Sequence, residues 1–178
     1  MNLNANIKNI WQEIISRKKY LLFFTVIPLL IDIISKNIIK TTMELYSAVP
    51  VIDGFFNIVY VLNPGAAFSF LHDMNEKYRQ LFFVVVTIIA ILIILYIFAK
   101  EKSKISTAGF ALILGGALGN LIDRIYIGKV VDFLDFYYSS YHFPAFNVAD
   151  SCITIGVALI IIDMLFFSKK RDNDKKSV

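Results

Sequence analysis

The chain has 178 residues, of which 57% are hydrophobic, and its mean hydropathy is +0.66. This composition is too apolar for an ordinary soluble domain, and the length suffices for only a few membrane spans. The formal net charge is +4, and the single cysteine, Cys152, excludes an intramolecular disulfide and a multi-cysteine metal site. We therefore expect a small integral membrane protein that forms one domain over residues 1–178.

The amino-terminal segment, residues 1–19, has the pattern of an amphipathic helix. Its apolar residues recur at the spacing of one helical face: Ile7, Ile10, Trp11, Ile14 and Ile15. We predict an interfacial helix here that lies flat on the membrane. A basic start followed by an apolar run also resembles a secretory signal, but no small-residue cleavage site follows Ile34, so we expect the next span to be retained.

Four hydrophobic runs predict membrane-spanning helices. The clearest is Leu81–Ala99, which carries no charge over a length of about 28 Å at about 1.5 Å per helical residue. The third run is rich in small residues, which allow helices to pack closely. The first and last runs must tolerate charged residues. The four predicted helices cover residues 20–39, 80–99, 105–123 and 149–167.

Basic residues indicate the orientation of these spans, because cytoplasmic segments carry an excess of lysine and arginine. They cluster before the first span, between the second and third, and in the tail at 168–178. Both termini are therefore expected in the cytoplasm, and the net charge implies no nucleic-acid partner. Two segments, 40–78 and 123–148, should face outward.

The first outward segment is rich in β-branched and aromatic residues bounded by turn signals at Pro50, Asp53-Gly54 and Asn63-Pro64-Gly65. We predict a small β-cradle over 41–77 on the outer membrane surface. Aromatic residues in the second segment are typical of the boundary between water and lipid. They are Tyr137, Tyr138, Tyr141 and Phe143.

Several polar residues should converge in the outer half of the membrane, where charges are costly and are candidates for function. Asp32 and Lys36 are one turn apart, and a simple ion pair that ties the first span to the bundle is as reasonable as a chemical role. Arg124 could merely extend to the membrane surface or pair with Asp123. The residues expected to converge are Asp32, Lys36, Asn120, Arg124, Asp132 and Asp150.

The remaining polar residues have structural interpretations. Asp163 is interpreted as a helix cap or anchor, and His72 and His142 are isolated, so no metal pair is expected. Turn or surface roles explain the other acids. These are Asp53, Asp73 and Asp135.

After the known motifs are considered, carboxylates remain as the candidate catalytic groups. The chain has no zinc-binding H-E-x-x-H helix, no G-x-S-x-G elbow and no phosphate-binding loop. Two aspartates in a low-dielectric site share a proton, so one acts as a base and the other as an acid in peptide hydrolysis. From spacing alone, any pair among Asp123, Asp132, Asp135 and Asp150 would serve.

The motifs "NPGAAFSF", "GGALGNLIDR", "VVDF" and "FPAFNVADSCI", together with "DIISK" in the first span, occur in an order and spacing that resemble bacterial lipoprotein signal peptidase, or signal peptidase II. The resemblance covers roughly Leu29–Met164. It implies an all-α membrane protein with four transmembrane helices and a small extracytoplasmic β-cradle. By this resemblance Asp132 and Asp150 are the catalytic dyad. Supporting or substrate-binding positions are Asn63, Asn120, Arg124, Asn147, Asp32 and Lys36.

The resemblance also implies the reaction. The expected enzyme is an aspartic endopeptidase that removes the signal peptide from a diacylglyceryl prolipoprotein, cutting on the amino side of the lipidated cysteine. No metal and no cofactor are expected. The implied partners are the prolipoprotein, membrane lipid and globomycin-type inhibitors, and we expect a monomer in the bacterial inner membrane with its active site at the outer face.

Two other functions remain alternatives from the residues alone. A small transporter or proton-coupled channel would also place acids and bases within the membrane. Its charges would follow a route through both halves of the bilayer, whereas the inner halves of the two middle spans carry none. A structural or assembly subunit would use the acids in ion pairs and would need no paired carboxylates.

Overall fold

The computed structural model describes residues 3–65 and 75–167. This part of the chain contains five helices and four strands, so His72, Asp73 and the tail at 168–178 lie outside the described residues. In chain order the elements are α1 (Leu3–Ser16), α2 (Lys18–Thr42), β1 (Ala48–Ile52), β2 (Phe56–Asn63), α3 (Glu76–Lys100), α4 (Lys104–Tyr126), β3 (Val130–Tyr138), β4 (Tyr141–His142) and α5 (Val148–Phe167).

Helices α2 to α5 are the four helices of the described residues that are long and apolar enough to cross a membrane. The predicted fold class is therefore confirmed. Three of these helices are capped by the side chain of the residue before their first turn. Asn75 caps α3 by accepting a hydrogen bond from Lys77 N at 3.0 Å, Ser103 caps α4, and Asn147 caps α5. Helix α3 consequently begins at Glu76, four residues before the predicted start.

Helix α2 contains one wide turn, a π-helical segment over Leu22–Val26. Pro28 follows two residues after Val26, and proline has no N–H to donate to the preceding turn, which explains the local change of helical pitch. The Thr25 hydroxyl in this segment donates to the carbonyl of Ala111 at 2.7 Å. The irregular turn is thus fixed against α4.

Helix α4 lies at the centre of the bundle. Of its most apolar 18-residue stretch, 67% is buried, compared with 6% for the corresponding stretch of α3. Small residues permit this position. A Cβ atom on Gly109 would lie 2.7 Å from the carbonyl oxygen of Gly156, and one on Gly156 would lie 2.6 Å from that of Gly109. Helices α4 and α5 therefore pack backbone to backbone.

Helix α1 packs beside the end of α3 that carries Lys100. Arg17, which follows α1, donates to the Thr107 hydroxyl at 3.2 Å and lies 5.8 Å above the ring centre of Phe98. The predicted apolar face remains open along part of its length, because Ile7, Trp11 and Ile15 are exposed. Its placement on a membrane surface remains a prediction.

The four strands form one antiparallel sheet in the order β1-β2-β3-β4. The sheet is not confined to 41–77 as predicted, because β3 and β4 come from the second outward segment. The sequence "VVDFLDFYY" has the β-branched and aromatic composition of a strand, although Tyr137 and Tyr138 also suit the boundary between water and lipid. This strand carries the central residue of the candidate site.

Candidate active site

Asp132 is the third residue of β3, with 2% of its surface exposed. Its strand partner is Val61, and Asn63, two residues further along β2, lies on the same face of the sheet. The side-chain amide of Asn63 donates to Asp132 Oδ2 at 2.9 Å. The sheet register thus places the first amide donor on this carboxylate.

A second amide reaches Asp132 from the start of α5. Phe146 exchanges backbone hydrogen bonds with Leu134, at 2.8 and 3.1 Å, so the residue that follows is held against β3. This residue is the fully buried Asn147, whose Nδ2 donates to Asp132 Oδ1 at 2.7 Å. Both oxygens of the Asp132 carboxyl group therefore accept from amides.

Asp150 lies in the first turn of α5 and closes a capping box with Asn147. Its backbone N–H donates to Asn147 Oδ1 at 2.9 Å, and its Oδ2 accepts from Asn147 N at 3.3 Å. A negative charge is also favoured at this end of a helix by the helix dipole. Asp150 is therefore part of the local structure that begins the last membrane-spanning helix.

Asn120, in α4, connects the two aspartates. Its Nδ2 donates to Asp150 Oδ1 at 2.7 Å, and its Oδ1 accepts from Asn147 Nδ2 at 3.2 Å. Because Asn147 also donates to Asp132, two amides link the two carboxyl groups. Three elements, β3, α4 and α5, are needed to build this arrangement.

Lys36 stands behind Asn120 and is 2% exposed. Its ammonium group donates to Asn120 Oδ1 at 3.0 Å, and it lies 2.8 Å from Asp32 Oδ2 and 3.1 Å from Asp123 Oδ2. The proposed ion pair between Asp32 and Lys36 is thus present, and it is one part of a larger buried cluster. By binding Oδ1, Lys36 leaves the Asn120 amide nitrogen to face Asp150.

The acids of this cluster also join separate elements. Asp32 Oδ1 accepts from the backbone N–H of Ala149 at 2.8 Å, and Asp123 Oδ2 accepts from that of Val131 at 3.1 Å. A Cβ atom on Gly119 would lie 2.5 Å from Asp32 Oδ2, so only glycine leaves room for this carboxylate. This close approach is the physical reason for a glycine at position 119.

An ion pair with Asp123 was one of the two structural interpretations of Arg124. Among the described residues this ion pair is absent, and Asp123 Oδ2 instead contacts Lys36 and the backbone N–H of Val131. The Arg124 guanidinium donates to the carbonyl of Asn120 at 3.4 Å and lies 5.4 Å from the ring centre of Phe83. Its charge interacts with the carboxylates of Asp150, Asp132 and, more weakly, Asp123. Arg124 is therefore a half-buried cation near both aspartates of the candidate site.

Burial raises the pKa of the Asp132 carboxyl group from its ordinary value of 3.8 to about 6. The nearby Asp150 carboxylate raises this pKa further, whereas the hydrogen bonds from Asn63 and Asn147 lower it. A carboxyl group with such a pKa exchanges its proton close to neutral pH. It has the acid strength that a general acid or base needs.

A cavity of about 520 Å³ opens beside Asp150. Its walls are mostly apolar and consist of the segment Phe143–Phe146 and the first turns of α5 up to Ile155. A concave apolar surface with one ionisable group is typical of a ligand site. The cavity could hold an apolar segment next to the Asp150 carboxyl group.

Two structural interpretations of other residues were wrong. Asp135 is not a turn or surface acid, because it is 6% exposed and accepts from Asn57 Nδ2 at 2.9 Å. His142 is not isolated, because its Nδ1 lies 2.9 Å from Asp135 Oδ1 and its ring stacks on Tyr137. Both pairings cross between neighbouring strands, so no local sequence pattern could have revealed them.

Asp163, in turn, is almost fully buried and accepts a hydrogen bond from the Ser106 hydroxyl at 2.6 Å. It therefore joins α5 to α4, in agreement with its interpretation as an anchor. Within the described residues, no group of three or more histidine, cysteine or acidic side chains is arranged to hold a metal ion.

Four apolar helices, a small sheet and a buried cluster of acids, amides and cations define a multi-pass membrane protein with a polar site at one end of the bundle. The family model described as "Signal peptidase (SPase) II" matches residues 24–166. The chain belongs to the signal peptidase II family, a family of membrane peptidases.

Relatives and solved structures agree with this assignment. The "Lipoprotein signal peptidase" of Geobacter sulfurreducens is 51% identical over 139 residues, covering 77% of this chain and 86% of that protein. The protein of the same description from Geobacter metallireducens is 45% identical over 152 residues, covering 84% and 93%. A bacterial membrane enzyme solved by the in meso method at 1.9 Å resolution has a TM-score of 0.74 and 39% identity, covering 83% of this chain and 94% of that one.

Proposed function

We propose that this protein is an aspartic endopeptidase that removes the signal peptide from diacylglyceryl-modified prolipoproteins, with Asp132 and Asp150 as its catalytic pair. The observation that carries the proposal is the link between the two carboxyl groups through Asn120 and Asn147. The family and its relatives, which are lipoprotein signal peptidases, support the substrate class. The raised pKa of Asp132 supports its use as an acid or base.

Two carboxyl groups that share one proton can hydrolyse the peptide bond without a cofactor. The ionised carboxylate takes a proton from water, and the water oxygen attacks the scissile carbonyl carbon. The protonated carboxyl group gives its hydrogen to the carbonyl oxygen. When the tetrahedral intermediate collapses, the carboxyl group that took the water proton gives it to the nitrogen, the C–N bond breaks, and the other carboxylate takes a proton back from a hydroxyl of the intermediate. The products are a new carboxyl terminus on the signal peptide and an amine on the lipidated cysteine, and the pair again holds one proton.

The surrounding side chains have separate roles in this proposal. Asn63 and Asn147 hold the Asp132 oxygens in place, and Asn120 does the same for Asp150, so little reorganisation is needed during reaction. Arg124 contributes positive charge near the developing oxyanion. Lys36 and Asp32 support Asn120 and the start of α5 without touching the substrate.

The proposed location follows from the same geometry. The signal helix and acyl chains of the substrate remain in lipid, whereas the scissile bond needs water, so a site where the bundle meets the sheet suits both. We place this end at the outer face of the bacterial inner membrane, with both termini in the cytoplasm. We also propose a monomer that globomycin-type inhibitors block.

The transporter alternative is less well supported. The buried charged groups Asp32, Lys36 and Asp123 lie at one end of the bundle and bind one another and backbone groups. At the other end, Asp163 accepts a hydrogen bond from the Ser106 hydroxyl. A path for ions would need exchangeable polar groups between these two ends, which the apolar middle of α3 does not provide.

Cleavage of a diacylglyceryl precursor by the purified protein in lipid tests the proposal. Asp132→Asn and Asp150→Asn should each lower the cleavage rate by at least about 10³-fold, because each removes one proton-transfer partner. The products are separated by gel and identified by mass.

Asp135→Asn is the matched control. Asp135 is a buried acid three residues from Asp132 on the same strand, and it also accepts from an asparagine amide. This variant should keep cleavage within about tenfold of the wild type. Near-normal turnover by either dyad variant would refute the assignment, and absence of cleavage by the wild type would refute the function.

A further inference from the structure

Phe83, on α3, contacts two separate segments of the site. Its half-buried ring lies against Gly65 on one side, and Arg124 lies over it at 5.4 Å. Neither Asp132 nor Asp150 bonds to any residue of α3. The contacts of Phe83 are therefore a route by which α3 can act on these two carboxyl groups.

The contact with Gly65 leaves no space for a side chain. A Cβ atom at this position would collide with Phe83 Cε2 and would lie 2.6 Å from Cζ. Gly65 also has a φ of +86°, which glycine adopts without strain. The ring and the backbone of this turn therefore fit directly onto each other.

This turn fixes the orientation of Asn63. The backbone N–H of Gly65 donates to Asn63 Oδ1 at 2.8 Å, so the oxygen of the amide points into the turn. The nitrogen of the same amide then faces Asp132 Oδ2, to which it donates at 2.9 Å. A displaced Gly65 would release the Asn63 amide to rotate away from Asp132.

The contact with Arg124 has the geometry of a cation over an aromatic face, within about 6 Å of the ring centre. One turn earlier on α3, Gln80 Nε2 donates to the Arg124 carbonyl at 2.8 Å, so α3 holds this residue by backbone and side chain. Besides its attraction to the nearby aspartates, the guanidinium makes one long hydrogen bond within the described residues, 3.4 Å to the Asn120 carbonyl. Neither contact fixes the plane of the guanidinium closely, so the ring is one of the groups that set the position of this cation.

We propose that Phe83 is a positioning residue, whose ring holds the Asn63 turn and the Arg124 guanidinium together in the arrangement in which they meet the catalytic carboxyl groups. The inference rests on the proposed function. It gives α3, whose apolar surface is mostly exposed, a specific part in the reaction.

Phe83→Leu tests the inference by removing the aromatic face and opening space beside Gly65. Because Asn63 and Arg124 act on the reacting groups, kcat should fall on the order of tenfold while KM changes by less than about twofold. Both constants are measured with the diacylglyceryl precursor, and the unfolding temperature is measured in the same detergent. Phe83→Met is the second probe if the leucine variant does not accumulate.

Phe98→Leu is the matched control. Phe98 lies on the same helix, about 22 Å along its axis from Phe83, is 0% exposed, and carries Arg17 over its ring at 5.8 Å. Its replacement should lower the unfolding temperature at least as much as Phe83→Leu, yet leave kcat within about twofold of the wild type. Equal losses of kcat in both variants, or a normal kcat in Phe83→Leu, would overturn the inference.

A double-variant cycle with Gly65→Ala tests the link between ring and turn. The added methyl group collides with Phe83, so Gly65→Ala alone should lower kcat. The combined variant should lose less than the product of the two separate losses, because the leucine leaves room for the methyl group. Multiplicative losses would contradict the contact.

These outcomes separate the two proposals. Cleavage by the wild type and its loss in Asp132→Asn concern the proposed function alone. The comparison of Phe83→Leu with Phe98→Leu concerns the positioning role, and it can fail while the wild type remains active.

Discussion

At the scale of single residues, the clearest feature of the site is a carboxyl group that folding makes harder to ionise. Burial raises the pKa of Asp132 from 3.8 to about 6, so the folded protein binds this proton more tightly than the unfolded chain does. The neutral carboxyl group therefore contributes stability that is fully present below about pH 4 and is lost as the pH rises through about 6. The site is expected to be maintained at a cost in stability at neutral pH.

Asp132→Asn should remove this pH dependence, because asparagine is neutral throughout. As the pH rises from about 4 to about 7.5, the free energy of unfolding of the variant should increase relative to the wild type by on the order of 2–3 kcal/mol. A pH-independent loss, from placing the new amide opposite the amides of Asn63 and Asn147, is subtracted at every pH. Unfolding temperatures in detergent across this range measure the difference. The exposed turn residue Asp53, changed to asparagine, is the control, and parallel curves for Asp132→Asn and the wild type would contradict the expectation.

Sequence reasoning reached many of the residues of the site but few of their contacts. The residues expected to converge do so, and the capping box between Asn147 and Asp150 follows a spacing that the sequence displays. The bond from Asn63 to Asp132 depends on the register of two strands, and the pairing of Asp135 with His142 depends on the fold of the next hairpin. Such cross-strand contacts leave no local pattern.

At the scale of elements, Lys36 joins α2 to α4. It is the cation shared by Asp32 on its own helix and Asp123 on α4, while these acids bind the backbone at the start of α5 and in β3. Four elements therefore depend on one buried charge. A lone buried carboxylate costs far more than a paired one, so the cluster should fail as a unit.

Lys36→Met should lower the stability by about 3 kcal/mol or more, since it leaves two buried acids without their cation. Cleavage should fall as well, because Asn120 loses the partner that orients its amide. Lys40→Met, one turn further along the same helix at an exposed position, should change neither property appreciably. Thermal unfolding and cleavage of both variants provide the comparison, and a stable, active Lys36→Met protein would contradict this account.

The elements themselves show what hydrophobicity can predict. Long apolar runs indicated α2 to α5, because a membrane-spanning helix needs length and little else. The sheet was only half predicted, since β3 lies in a segment whose aromatic residues suit both a strand and a membrane boundary. The wide turn before Pro28 could be recognised only in the packed structure. The same holds for the central position of α4, although its small residues indicated close packing.

At the scale of the whole molecule, the two ends of the bundle differ in chemistry. One end carries Lys100, Lys104 and the contact between Arg17 and Thr107, which brings the amino-terminal helix to the same side. The other end carries the sheet and the acids of the site. Helix α3 alone spans about 38 Å between them, at about 1.5 Å per residue, which exceeds the hydrocarbon thickness of a bilayer.

The excess of lysine and arginine should keep the first end in the cytoplasm and place the site outside. Two exposed positions report on the two ends: Tyr138, which is 80% exposed at the end of β3, and Lys102, between α3 and α4. In a Cys152→Ala background, Tyr138→Cys should react with a membrane-impermeant thiol reagent in intact cells. Lys102→Cys should react only after the membrane is opened. Labelling in the reverse order would place the carboxyl pair in the cytoplasm, where a precursor that presents its lipidated cysteine at the outer surface could not reach it.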